Sequence, residues 1–147
     1  MSNVLMAVQE YQDLYPEDFS TGSTSEELEQ SEKILNVQFS EEYKKFILKY
    51  GAAGIEAHFI YGFKHLPLMG KQHWTVTDKT LFYKETQKWP EIDNWYIISE
   101  DGRGNPIGCK PDGSVWLSDH DAGFEQIKLA DSLEEFLHKL LTDTLYE

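Results

Sequence analysis

Four short apolar runs in the C-terminal half, each closed by turn residues, constrain the fold most. Trp95–Glu100, Pro106–Lys110, Val115–Asp119 and Phe124–Leu129 read as strands. Asp101-Gly102-Arg103-Gly104-Asn105 separates the first two. Lys110-Pro111-Asp112-Gly113 separates the next pair. In the second turn Pro presets φ, Asp hydrogen-bonds the backbone and Gly accepts positive φ. Connections this short join antiparallel neighbours, so the runs predict a meander. Pro106, which has no N–H to donate, places the start of its run at an edge or a strand end.

Helical patterns flank these strands. Val4, Val8 and Tyr11 form one stripe over 4–14, broken by Pro16 and by Ser20-Thr21-Gly22-Ser23. Thr24 reads as an N-cap with Glu27 as its capping-box partner, opening a helix to about Leu35 with an acidic outer face. Ser40 caps the next helix, where Tyr43, Phe46, Ile47 and Tyr50 recur at helical spacing. Gly51 fits a left-handed stop, followed by a loop over Ala52-Ala53-Gly54 and a strand over Glu56–Phe63. Residues 64–76 are ambiguous. Thr77 to Lys88 reads as a helix capped by Thr77 and stopped by Pro90, with a strand over 74–83 as the alternative. Asp131 or Ser132 opens a last helix whose apolar face is Leu133, Phe136, Leu137, Leu140 and Leu141. The expectation is one α+β domain, an antiparallel sheet of four to six strands flanked by N-terminal helices and a C-terminal helix. Residues 1–24 are expected as a helical or partly flexible segment ahead of a domain over 25–147.

The 147 residues include 26 acids and 13 bases, for a net charge of −13. Nucleic acid and anionic membranes attract cations, so both are excluded as partners, and a basic partner is favoured. The charge is uneven: −9 falls in residues 1–42 and −4 in the remainder. Solvated helix faces account for much of the first share. No membrane-spanning run and no signal peptide is read, and the single Cys109 excludes an intramolecular disulfide. A cytoplasmic protein, monomeric or weakly dimeric, is expected.

Gly102, Gly104 and Gly108 lie between strands at the wrong spacing for a phosphate loop, so a hairpin turn explains them. Asp119-His120-Asp121 offers metal-ligand or acid–base side chains, but strand alternation is expected to keep the three apart. His58, His65 and His73 are too scattered to complete such a site. Cys109 reads as a buried small hydrophobe. Trp95 and Trp116 are assigned to the core, with Trp74 and Trp89 more open. No catalytic, metal or cofactor residues are assigned, and no cofactor is expected.

Several segments together resemble the SUKH superfamily. Phe39-Ser40-Glu41-Glu42-Tyr43-Lys44-Lys45-Phe46 through Tyr50-Gly51-Ala52-Ala53-Gly54 resembles its helix and glycine turn. Members carry Leu-Pro before the Tyr and Asn-Gly-Gly after the helix, and this chain departs at both places. Ile98 to Asn105, Gly113 to Asp121 and Ser132–Leu141 are similar to later elements, so the resemblance spans about residues 25 to 141. It implies a helix-flanked antiparallel sheet and an immunity protein that binds and neutralises a cognate toxin, often a nuclease. Fungal relatives imply a regulatory scaffold linked to cell-wall synthesis instead. No catalytic residues come with the resemblance. A small enzyme using His120 with an Asp is a third reading. An acidic surface facing a basic toxin is expected, with Glu56, Glu91, Asp93, Glu100, Asp101, Asp112, Asp119 and Asp121 as candidate contacts and the acidic N-terminal helix as the rival surface.

Overall fold

A computed structural model describes residues 3–70 and 74–147, so His73 lies outside the described residues. The fold is a single α+β domain. Helices α1 (Asn3–Leu14), α2 (Ser25–Leu35) and α3 (Glu41–Lys49) precede a hairpin of β1 (Ala52–Ile55) and β2 (His58–Tyr61). Helix α4 (Val76–Leu81) follows, then β3 (Tyr96–Glu100), β4 (Pro106–Cys109), β5 (Val115–Asp119), β6 (Glu125–Ala130) and α5 (Leu133–Leu141). The last four strands form an antiparallel meander in the order β3-β4-β5-β6.

The caps of α2, α3 and α5 fall where the sequence places them. Thr24 and Glu27 complete a reciprocal capping box, with the Glu27 N–H donating to Thr24 Oγ1 at 3.2 Å and the Thr24 N–H donating to Glu27 Oε1 at 2.9 Å. Ser40 caps α3 and Ser132 caps α5. The α3 stripe Tyr43, Phe46, Ile47 and Tyr50 is buried throughout, as are Leu133, Phe136, Leu137 and Leu140 of α5.

Three local expectations are corrected. Residues 52–54 are not a loop: they belong to β1, which pairs with β2 from Ala52↔Tyr61 to Ile55↔His58. Gly51 is also not left-handed, and Tyr50 ends α3 with φ −126. The glycine answers a close approach instead, because a Cβ there would sit 2.5 Å from the Thr21 carbonyl oxygen. Of the two readings for residues 74–88, the helix prevails over the strand. Its cap is Thr75 rather than Thr77, and the chain widens into a π-type turn over Phe82–Thr86.

Alternation along the meander separates two cores. Tyr96, Ile98, Ile107, Cys109, Val115, Leu117 and Leu129 face the helices in the main core. Ile97 faces outward, where Tyr83, Ile92 and Trp95 cover it and Phe82, Trp89 and Trp116 pack around them. Gly108 serves this second core: a Cβ there would meet the Trp95 ring at 2.7 Å. It is therefore a packing glycine within β4 and not part of the turn. A bulge between Ile97 and Ser99 interrupts the β3–β4 ladder. Ser99 Oγ donates to the Phe59 carbonyl at 2.6 Å, linking the meander to the β1–β2 hairpin.

Candidate functional site

The hairpin turns at one end of the meander hold most of the chemistry-bearing side chains. Asn105, fully buried, is their organiser. Its Nδ2 donates to Asp101 Oδ2 at 2.8 Å and to Asp119 Oδ1 at 3.4 Å. Its Oδ1 accepts the His120 N–H at 3.0 Å and also meets His120 Nδ1. Asp101 Oδ1 accepts two more bonds, from the Arg103 and Asn105 N–H groups at 2.8 and 2.9 Å. The β3–β4 and β5–β6 turns are thus tied through one amide side chain. The sequence reading placed Asn105 in the turn but missed this role. The available signal was an Asx residue closing a glycine-rich turn.

A groove of about 680 Å³ opens beside this junction. Leu117, Ile127, Leu129 and Leu145 supply its apolar floor, and Asp101, Asp119, Arg103, Lys128 and Lys139 supply charge of both signs. His58 Nε2 lies 2.8 Å from Tyr146 Oη across one wall. Burial raises the Tyr146 hydroxyl to about 12.

The eight predicted contact residues do not form one patch. Asp101, Asp119 and Asp121 gather at the turn end, with Glu56 on the neighbouring hairpin turn. Glu91 joins from the outer face, where its carbonyl accepts Gln126 Nε2 at 2.7 Å. Asp93 follows it on that face, its carbonyl accepting Lys84 Nζ at 2.8 Å. Asp112 lies at the opposite end, in a small groove with Glu41, Glu42 and Asp131. Glu100 points inward: it accepts Tyr61 Oη at 2.5 Å, accepts Tyr83 Oη, and pairs with Lys79 Nζ at 2.9 Å. Burial first, then the Glu100 charge, raises both tyrosines well above the usual range.

Four of the eight carboxylates therefore hold the fold's own donors. Glu100 and Asp101 do so as described, Asp119 accepts the Asp121 N–H at 3.0 Å, and Asp112 accepts Ser114 Oγ at 2.5 Å. The Ser114 hydrogen bonds hold Asp112 below the usual carboxylate range. The exposed carboxylates of Glu56, Glu91 and Asp93 accept no hydrogen bond among the described residues, and Asp121 meets only His120 Nε2, at 3.3 Å.

Asp119, His120 and Asp121 do converge, contrary to the strand-alternation argument. Strand β5 ends at Asp119, and a 3₁₀ turn over His120–Ala122 brings one ligand-capable atom of each residue within 4.8 Å of the others. The three could hold a cation, although exposed acidic turns adopt such spacing without one. Cys109 is fully buried, and burial pushes its thiol up to about 12. Trp95 is a core residue, whereas Trp116 is half-buried, with Lys110 Nζ 3.7 Å above its ring. Trp74 and Trp89 are half-buried as well. No helix among the described residues is long and apolar enough to cross a membrane.

Residues 22–139 match the SMI1 / KNR4 family (SUKH-1). A comparison with curated proteins finds no match.

Proposed function

Because the chain belongs to the SMI1 / KNR4 family (SUKH-1), we propose that it is an immunity protein that binds a cognate toxin and neutralises it by occlusion. Membership by itself fits either an immunity protein or a regulator of the KNR4 type, in a family whose members are generally non-enzymatic. The observation that carries the binding reading is the family match over 22–139. Charge supports the class of partner. A chain at −13 attracts a basic surface, and a nuclease presents one where it binds its substrate. The partner we propose is accordingly a basic, nuclease-type toxin, met in the cytoplasm.

The contact surface we propose is the turn end of the meander with Asp121, flanked by Glu91 on the outer face and Glu56 on the neighbouring hairpin turn. Among the described residues the Glu56 and Glu91 carboxylates accept no hydrogen bond and the Asp121 carboxylate meets only His120. The acidic face of α2 is the weaker candidate, since part of it is already engaged. Glu27 pairs with Lys64 at 3.5 Å, and Glu32 accepts the Phe39 N–H at 2.8 Å.

Co-expression with the product of the adjacent gene tests the function. Growth should be rescued by this chain, and the two proteins should co-purify. Absence of both would remove the immunity reading. A change in cell-wall composition on deletion, with no toxin beside the gene, would favour the regulatory scaffold. Charge reversal at Glu91 and Asp121 should weaken rescue, whereas reversal at Glu26 and Glu29 of α2 should not.

A further inference from the structure

The second core ends at its outer edge in a partly exposed aromatic cluster, where Trp89 packs edge-on against buried Tyr83. Trp89 is half-buried there, with its Nε1 donating to Ser118 Oγ at 2.7 Å. Phe124 meets it edge-on at 5.2 Å between centroids, and His120 does so at 5.8 Å. Phe124 nevertheless remains 38% exposed at the tip of the β5–β6 turn.

The backbone around this cluster is strained. Lys88 (φ 52), Glu91 (φ 60) and Phe124 (φ 65) are all left-handed without being glycine. An L-residue in that region carries a Cβ clash that glycine avoids, most severely for a bulky side chain. Asn or Gly would suit an exposed turn tip better than Phe. Such strain persists only where surrounding contacts fix it, and it collects at binding sites. Here the Ser118 bond holds Trp89, and the Gln126 bond to the Glu91 carbonyl holds the 88–91 turn.

The chemistry on offer is aromatic faces beside carboxylates. Glu91 follows Trp89 on the strained turn, and Asp121 lies 3.3 Å from the His120 ring nitrogen. Both are exposed, and Lys88 is the one cation of the 88–91 turn. An arginine suits this combination better than a lysine. Its guanidinium stacks flat on Trp or Phe and bonds a carboxylate through two N–H groups at once. We propose that Trp89, Phe124 and His120, rimmed by Glu91 and Asp121, form a seat for an arginine side chain projecting from a basic partner protein. The proposal rests on the toxin-binding reading and names the contact chemistry of that surface.

The test uses the full ¹⁵N-labelled chain titrated with N-acetyl-arginine amide, and with its lysine and glutamate counterparts. The Trp89 indole and Phe124 amide signals should move with arginine, several-fold less with lysine, and not with glutamate. Two variants keep the outcome independent of folding. Phe124→Gly removes the ring at a backbone position that glycine prefers, so relief of the left-handed backbone offsets part of the lost Trp89 contact and the thermal midpoint should fall only modestly while the arginine response is lost. Glu91→Gln should weaken the response with an unchanged midpoint. No response in the wild type, or an undiminished response in both variants, would overturn the seat.

The partner arm separates the two claims. Both variants should bind the adjacent-gene product about tenfold more weakly, as expected for a contact hot spot. Full neutralisation by both variants would overturn the seat and leave the toxin-binding reading standing. An arginine response at Trp89 with no neutralisation by the wild type would do the reverse. Self-association mediated by Phe124, seen by ultracentrifugation and abolished in Phe124→Gly, would also overturn the seat.

Discussion

Replacing Asn105 with alanine should loosen two turns together. The variant loses a charge-assisted bond of 2.8 Å to Asp101, a long one of 3.4 Å to Asp119, and the acceptor of the His120 N–H at 3.0 Å. A bond to a charged group contributes about 1.5–3 kcal/mol and a neutral one about 1 kcal/mol. Asp101 and Asp119 are half-buried and His120 is exposed, so water recovers part of the loss. A destabilisation of about 2–3 kcal/mol follows, or roughly 5–10 °C in Tm for a domain of this size. Urea unfolding read by tryptophan fluorescence should show a lower midpoint with an unchanged slope. A loss below about 0.5 kcal/mol would refute the idea that this amide organises the turn end. Asn105→Asp sharpens the test. It sets a third carboxylate against Asp101 and Asp119, whose repulsion raises the new group's pKa in the folded state. The variant should therefore be least stable at neutral pH and should recover as pH falls toward about 4.

Glu100→Gln removes the charge that pairs with Lys79 and leaves one amide N–H₂ facing a tyrosine hydroxyl, so a loss of about 2–3 kcal/mol is expected. Chemical denaturation measures it, and stability within 0.5 kcal/mol of wild type, roughly the scatter of a surface substitution, would contradict the inward role of Glu100. Cys109 should resist alkylation in the native state at pH 8 and react at once in urea, because burial keeps its thiol protonated up to about 12. Rapid native labelling would contradict its burial. The same shift has a pH consequence. A thiol raised above its ordinary 9.0 contributes stability that is complete below that value and is lost as pH rises toward about 12. Buried Tyr61, Tyr83 and Tyr96 act in the same direction, so the thermal midpoint should fall steadily above about pH 9.

The parts of the fold legible in the sequence are those with local causes. The Thr24, Ser40 and Ser132 caps, the α3 stripe and the meander strands each follow from spacing over a few residues. Two of the failures share a non-local cause. Ala52-Ala53-Gly54 carries no strand propensity and becomes β1 only because β2 lies beside it. Gly51 reads as a helix stop, yet it is required by Thr21, thirty residues earlier. At the site, the acidic residues were visible but their commitments were not. Glu100 and Glu91 look alike in sequence; only the fold turns one toward two tyrosines and leaves the other facing water. Asp119, His120 and Asp121 converge despite strand alternation because the strand ends at Asp119, one residue before the histidine.

Hydrogen exchange on the complex with the adjacent-gene product maps the docking surface residue by residue. Binding through the turn end predicts new protection at residues 88–91, 101–105 and 119–124, with the outer face of α2 unchanged. Protection confined to residues 25–35, with the turns exchanging as in the free chain, would contradict the account.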